Sequence, residues 1–384
     1  MKLAFWLMFL SYAIQLHAKP CKKMTQALQD LYPHHSQDMI GTRIDKAKNK
    51  HKFMRGFIPY YYQKAFEAKE SIPVHAKMKK TTGQIVGDAH VENFGFIVNN
   101  DGRPVLALND FDDVAEAPLY LDVLRLTQSA SYIEDIKLNR LIAAYKKGLT
   151  NSSYEFSGYI KKLNAKAVKG GNICKADYSP TKNGIKFSNK TAPSFDASSA
   201  EQKAVKKILT DKYGSNVKFH DIYRTMKESG GSAYGNRFHV LAEFDGQMQF
   251  IELKEVFDTG VISQFAKANT NDQRILTSRD VFLGKHFDKK LDVVRVENKS
   301  YQLRFKSEGN KSIDFGKIDD KDVHNVIEDE FFILGQLHRK SLDSSPAKIK
   351  PYLDDLSSVT NDEWTESVKV MKQAMKKAYD EVNE

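Results

Sequence analysis

Cysteine is scarce in this chain, with two residues, Cys21 and Cys174, among 384. That excludes a disulfide-dense scaffold. In an oxidising compartment the two could pair, and so long a loop would contribute about 4 kcal/mol; two free thiols are the alternative. Long apolar runs are lacking beyond the N-terminus, and a mean hydropathy of -0.52 excludes a polytopic membrane protein. No internal repeat and no long low-complexity tract interrupts the chain. What remains is ordinary for a folded protein: 41% hydrophobic and 28% charged residues rule out collagen-like and disordered compositions. The length suffices for two or three domains, or for two lobes packed as one unit.

The N-terminus carries the one apolar run. After Lys2, residues 3–16 are apolar with interspersed aromatics, and His17-Ala18-Lys19-Pro20 follows. One basic residue, a short apolar core and a small residue predict a signal peptide over 1–18 and a soluble product, periplasmic or secreted. The run is shorter than the roughly 20 residues of a spanning helix, so no membrane span is expected after cleavage. A buried N-terminal helix is the other reading. The formal charge of +10 is scattered, at 46–52, 77–80 and 161–169. Scattered lysines are solvated surface and give no strong nucleic-acid signal.

Apolar periodicity predicts helices over 22–80, strands over 84–110, and helices over 119–149. Residues 155–218, rich in Lys, Ser, Asn and Gly, read as linker plus a helix around Ala200–Leu209. Strands return over 219–308, interrupted by a helix-like stretch at 261–282, and the tail from Asp320 is helical.

The chemistry concentrates at 87–113. Phe94–Val98 and Val105–Leu108 flank the turn signal Asn99-Asn100-Asp101-Gly102, which predicts a hairpin. Asn93 precedes its first strand and Asp110 follows its second, so antiparallel pairing brings both to the open end. Asp88 and His90 arrive at the same end in the preceding loop. An amide oxygen and a carboxylate on a rigid hairpin suit Mg²⁺, which takes few protein oxygens and completes its shell with water and phosphate. Asp88 can accept or orient the proton of a substrate hydroxyl. The spacing of a twelve-residue calcium loop is absent.

These residues resemble a known pattern. GDAHVEN, with Asn93 five residues after Asp88, is similar to the catalytic loop of aminoglycoside phosphotransferases and choline kinases. NDFDD followed by APLYLDVLRL is similar to their metal-binding Asp and the Asp-containing helix after it. The resemblance implies Asp88 as catalytic base, Asn93 and Asp110 as metal ligands, and Asp122 as a structural carboxylate. Asp112 and Asp113 are alternatives for the second acidic ligand.

A kinase also needs a glycine loop over the phosphates and a strand lysine. Neither precedes Asp88. Both follow it: Gly230-Gly231-Ser232-Ala233-Tyr234-Gly235 lies between strand-like segments, and the strand Phe250–Lys254 offers Lys254. The expected fold is therefore α+β, two-lobed and protein-kinase-like, in circularly permuted order. That order resembles the bacterial family called domain of unknown function 2252, through FMRG at 53–56, GDAHVENFG, NDFDDVAEAPLYLDVLRL, GGSAYGNRF, IELKE, NDQRILTSRDVFLG at 271–284, YQLR at 301–304 and LGQLHRKS at 334–341. The resemblance spans about 50–345. Arg237 and Arg304 are candidate phosphate or substrate contacts. Gln273 and Arg274 lie on the helix expected to face Lys254, and His338 is either a core or a site histidine. A kinase usually pairs its strand lysine with a helix Glu, yet 261–280 contains none; Asp272 or Gln273 could substitute, or Lys254 could pair elsewhere.

The expected organisation is a signal peptide over 1–18, a catalytic-loop lobe over 19–154, a linker and helical insertion over 155–218, a nucleotide lobe over 219–312, and helices completing the first lobe over 313–384. The expected function is Mg²⁺- or Mn²⁺-dependent phosphoryl transfer from ATP or another nucleotide to a substrate hydroxyl. A non-catalytic nucleotide- or phosphate-binding pseudokinase and a nucleotidyl transferase are the alternatives. The acceptor and the oligomeric state are open.

Overall fold

The computed structural model describes residues 22–190, 194–228, 230–258, 265 and 270–383. The expected signal peptide and Cys21, with its pairing to Cys174, lie outside the described residues.

The chain opens with five short helices: α1 (Lys22–Leu31), α2 (Gln37–Lys46), α3 (Lys50–Gly56), α4 (Ile58–Glu67) and α5 (Pro73–Met78). Their starts are written locally. Ser36 accepts from the Met39 amide and Asn49 from the Lys52 amide, each satisfying an orphan N–H of a first turn. Prolines open α4 and α5, where a missing N–H costs nothing. Four strands follow, β1 (Thr82–Ile85), β2 (Phe94–Val98), β3 (Pro104–Leu108) and β4 (Ala115–Pro118). The expected hairpin is β2–β3, with Phe94 opposite Leu108, while β1 pairs antiparallel with β4. Helices α6 (Tyr120–Ala130), α7 (Leu138–Thr150) and α8 (Gly158–Gly170) come next.

The segment read as linker is more structured than expected. Besides α8 it holds a hairpin of β5 (Tyr178–Thr181) and β6 (Gly184–Phe187), strand β7 (Ser194–Asp196), and helix α9 (Ser199–Tyr213). Its polar composition hid this because few side chains are buried: Ile160 and Ala167 anchor α8, and Val205 and Leu209 anchor α9. A capping box of Ser198 and Glu201 fixes the start of α9.

The main sheet has six antiparallel strands in the order β11-β12-β10-β9-β8-β7. Its members besides β7 are β8 (Lys218–Met226), β9 (Asn236–Phe244), β10 (Gln247–Glu255), β11 (Leu291–Val296) and β12 (Lys299–Lys306), with α10 (Asn271–Phe282) between β10 and β11. Alternation along the strands gives the sheet two faces. Ile251 and Leu253 join Val240 and Leu303 against α9 in one core. Glu252 and Lys254 point the other way. Strand β13 (Lys311–Ser312) then pairs with β2, tying the end of the sheet region to the hairpin. Three long helices, α11 (Asp320–Ser341), α12 (Pro346–Ser358) and α13 (Asn361–Asn383), pack back on the N-terminal helices in the larger core. The fold is mixed α+β, as expected. Among the described residues no helix is long and apolar enough to cross a membrane.

Candidate functional site

The site grows from the loop between β1 and β2. Gly87 has φ +75°, and a Cβ there would run into the Asp113 backbone, so only glycine fits the turn that presents Asp88. Asp122, in the first turn of α6, accepts from the Val86 amide at 2.6 Å and the Gly87 amide at 3.0 Å. His338 Nε2 reaches the same carboxylate at 3.0 Å, and its Nδ1 lies 2.6 Å from the Tyr145 hydroxyl. Asp122 and His338 are fully buried. They brace the loop from behind and do not face the cavity.

Asp88 itself is gripped. Arg125, wholly buried on α6, donates to its Oδ1 from Nη2 at 2.6 Å and from Nε at 3.2 Å. His90 Nε2 stands 3.3 Å from its Oδ2. The His90 Nδ1 accepts the Glu92 amide at 3.1 Å, which leaves the ring proton on Nε2, facing Asp88. Burial pushes the Asp88 carboxyl up, but His90 and Arg125 outweigh it and hold the group well below the usual carboxylate range. Asn93 donates its amide nitrogen to the Asp88 carbonyl at 3.0 Å. Its amide oxygen has no partner among the described residues.

The hairpin delivers the acidic run. The Asn109 amide donates to the Asn93 carbonyl at 2.9 Å, extending the β2–β3 pairing by one step and setting Asp110 just beyond it. Lys254, 1% exposed, reaches across from β10 to Asp110 Oδ2 at 2.5 Å and to Asp112 Oδ2. Two carboxylates thus share one ammonium. Burial and the charge of Asp110 push Asp112 up to about 7, while Lys254 and Arg304 overcome burial and hold Asp110 low. Among the described residues, the second oxygen of each, Asp110 Oδ1 and Asp112 Oδ1, is buried without a partner. A buried carboxylate oxygen left unpaired is costly and calls for a cation or water.

These oxygens and Asn93 fit a magnesium-type site. Among the described residues no three His, Cys, Asp or Glu side chains gather as a complete cage. Asp110, Asp112 and the Asn93 amide oxygen could hold a cation of the Mg²⁺ type, which takes few protein oxygens.

The sheet closes the cavity from the other side. Register places Arg237 and Gln302 on either side of Lys254, and His239 and Arg304 on either side of Glu252. Glu252 holds Arg304 Nε at 2.6 Å and Arg237 Nη1 at 3.4 Å. Arg304 also donates to the Asn109 carbonyl at 3.0 Å, and Arg237 to Ser232 Oγ at 2.8 Å. The glycine loop lies between β8 and β9. Gly230, Gly231 and Ser232 line a cavity of about 480 Å³ together with Asp88, Asn93 and Asp110. Buried Arg43 donates to the carbonyls of Gly231 at 2.9 Å and Gly56 at 3.0 Å, fastening the loop to the helices.

Besides Asp122 and His338, two further expected residues fall elsewhere. Gly235 does not line the cavity; it packs against Phe257, which a Cβ would meet at 2.9 Å. The Gln273 side chain is exposed, and only its backbone takes part, donating to the Thr270 cap. The residue of α10 that points inward is Arg274, which donates to the Asp112 carbonyl and, at 2.7 Å, to the Phe257 carbonyl. Lys254 pairs with Asp110 and Asp112 and not with α10, and Asp272 pairs with Arg295.

Arg125, Glu252 and Arg43 escaped sequence reasoning. Arg125 stands three residues after Asp122 within the apolar run Val123–Leu126, and a charge set among apolar neighbours was the signal available. Glu252 alternates with Lys254 along one strand face, which period-two reading could have exposed. Arg43 carried no signal.

A model of the bacterial family described as "Uncharacterized protein conserved in bacteria (DUF2252)" matches residues 37–138. The match supports that family over the segment holding GDAHVENFG and NDFDD; the glycine loop and Lys254 lie beyond it. No curated protein and no solved structure matches the chain.

Proposed function

We propose that this chain is a Mg²⁺-dependent phosphotransferase, kinase-like in organisation with the catalytic loop encoded before the nucleotide-binding strands, and exported. One observation carries the reading: the unpartnered buried oxygens of Asp110 and Asp112 sit beside Lys254, in the cavity that Asp88 and Asn93 also line. Bound at those oxygens, the cation would offset the charge developing on a transferred phosphoryl group.

This chain's residues do the rest. Lys254, which pairs with the two carboxylates, would turn its ammonium to the donor phosphates when a cation is held at Asp110 and Asp112. Ser232 and the glycine-loop backbone cover those phosphates, with Arg237 and Arg304 held behind by Glu252. Asp88 orients the acceptor hydroxyl. Because Arg125 and His90 lower its proton affinity, Asp88 takes the hydroxyl proton late, as the new O–P bond forms and the donor's O–P bond breaks.

A non-catalytic phosphate binder is the second reading, favoured by the direct Lys254 pairing and by the lack of any α10 carboxylate on Lys254. A melting panel of nucleotides with and without Mg²⁺ or Mn²⁺ tests the shared premise. Ligand at 100 times its Kd stabilises by about 2.7 kcal/mol, so a metal-dependent upward shift is expected; its absence for every nucleotide removes the proposal. Release of nucleoside diphosphate that Asp88→Asn abolishes then separates phosphoryl transfer from mere binding, and release of pyrophosphate would instead identify a nucleotidyl transferase.

A further inference from the structure

The cavity has a second cationic end that phosphates at Lys254 would leave unused. Along β12, Gln302, Arg304 and Lys306 share the face turned to the cavity, opposite Lys254, Glu252 and Phe250 respectively. Lys306 is therefore four residues, about 13 Å, along the strand from the Lys254 row. Lys175 is held beside it, its amide donating to the Lys306 carbonyl at 3.3 Å, with Cys174 bridged to Ser307. Both lysines line the cavity that contains Asp88 and Asp110.

Their charge is not balanced. Lys46 and Arg55, which line the same cavity, have Glu228 and Glu92 as partners. Among the described residues, no carboxylate lies within ion-pair distance of Lys175 or Lys306. Glu252 is committed to Arg304 and Arg237, and Glu308 to Lys311. The strongest influences on Lys306 come from Arg304, Lys175 and Arg237 against Glu252, with His239 nearby. Arg304 beside it, with burial and Lys175 adding to the effect against the pull of Glu252, draws its amine down to about 7. A fold that crowds cations at this cost, next to a phosphate site, has room for an anion.

We infer that the cavity's ligand carries a second phosphate group, held by Lys306 and Lys175 at the end away from Lys254. The ligand class is a molecule with phosphates at both ends of a span of about 13 Å. A nucleotide phosphorylated on its ribose and a linear polyphosphate chain share that chemistry. The inference rests on reading the Asp110–Lys254 end as the place of the first phosphates.

Titration calorimetry on the full chain with Mg²⁺ tests it. The one-ended probes are ATP and tripolyphosphate; the two-ended probes are a ribose-phosphorylated ATP and a polyphosphate long enough to span the cavity. Each two-ended probe that fits should bind about tenfold or more tighter than its one-ended counterpart, the contribution of one charge-assisted bond. Which pair shows the gain identifies the source. Lys306→Gln and Lys175→Gln should remove the gain and leave one-ended binding unchanged; Lys175 is exposed, so its variant guards against misfolding. At pH 8, two buffers of different ionisation enthalpy should reveal proton uptake with the two-ended probe, absent in Lys306→Gln and near pH 5.5. Equal affinity for one- and two-ended probes, or a gain that survives both substitutions, overturns the inference while the phosphate site stands. Loss of all phosphate binding in the wild type overturns both.

Discussion

Asp88 serves two masters: it faces the cavity, and it neutralises a guanidinium that has nowhere else to go. Arg125 is wholly buried, and among the described residues its Nη1 lacks a partner and its only acceptor apart from Asp88 is the Met54 carbonyl at 3.2 Å. The motif alone suggests that Asp88→Ala spares the fold. The ion pair predicts otherwise, since removing one partner of a buried pair costs about 3–5 kcal/mol. Asp88→Ala should melt several degrees lower as well as lose turnover, whereas Asp88→Asn, which keeps an acceptor oxygen, should lose turnover with a much smaller change in Tm. Equal Tm values for the two variants would show that the Arg125 pair carries little stability. Asp88, Asn93 and Asp110 were legible as neighbours because the hairpin that gathers them is local in sequence. Arg125 was not, because Leu-Arg-Leu in a helix reads equally well as a surface position until the tertiary packing buries it.

Among elements, the β2–β3 hairpin was readable because its turn and both its strands are local. The β1–β4 pair was not. Thr-Gly-Gln-Ile and Ala-Glu-Ala-Pro have weak strand propensity, and their pairing is set by the loop and hairpin packed between them. Helix contacts are hidden for the same reason. Helices α7 and α11 approach so closely that a Cβ on Gly335 would strike the Tyr145 carbonyl and come within 3.0 Å of Gly148 Cα. Neither backbone can yield without shifting a helix that also carries Tyr145 or His338, the support behind Asp122. In an open helix Gly→Ala would stabilise by about 1 kcal/mol. Here Gly335→Ala should instead destabilise, by about 1–3 kcal/mol as overpacking does. Chemical denaturation measures the sign directly, and a stabilised variant would mean that the two helices are not in close contact.

For the whole molecule, the order of parts was visible in the sequence, since GDAHVENFG precedes GGSAYG and IELKE. The electrostatic wall was not, because it needs the register that sets Arg304 opposite Glu252 and Arg237 on the diagonal across three strands. Nor does sequence show how ionisable groups are divided between water and core, and that division shapes the response to acid. Burial lowers His35 and His239 to about 4 and His51 to about 3. Each therefore contributes stability that is present above about pH 6.5, the unfolded value, and is lost as pH falls. Glu330 on α11 does the reverse. It is fully buried, neither carboxyl oxygen has a partner among the described residues, and burial with the nearby Asp329 and Glu92 raises it well above the usual value. The folded chain keeps that proton while the unfolded chain releases it near pH 4.5, so stability declines as pH rises from there. Glu330→Gln, close in shape to the protonated acid, abolishes this one titration. Relative to wild type its stability should rise by about 1.4 kcal/mol per pH unit between pH 4.5 and 6.5. It should also unmask the histidines, so that its own stability falls more steeply on acidification than that of the wild type. Urea unfolding of both proteins across that range gives the difference, and a constant gap would mean that Glu330 is ionised in the folded protein.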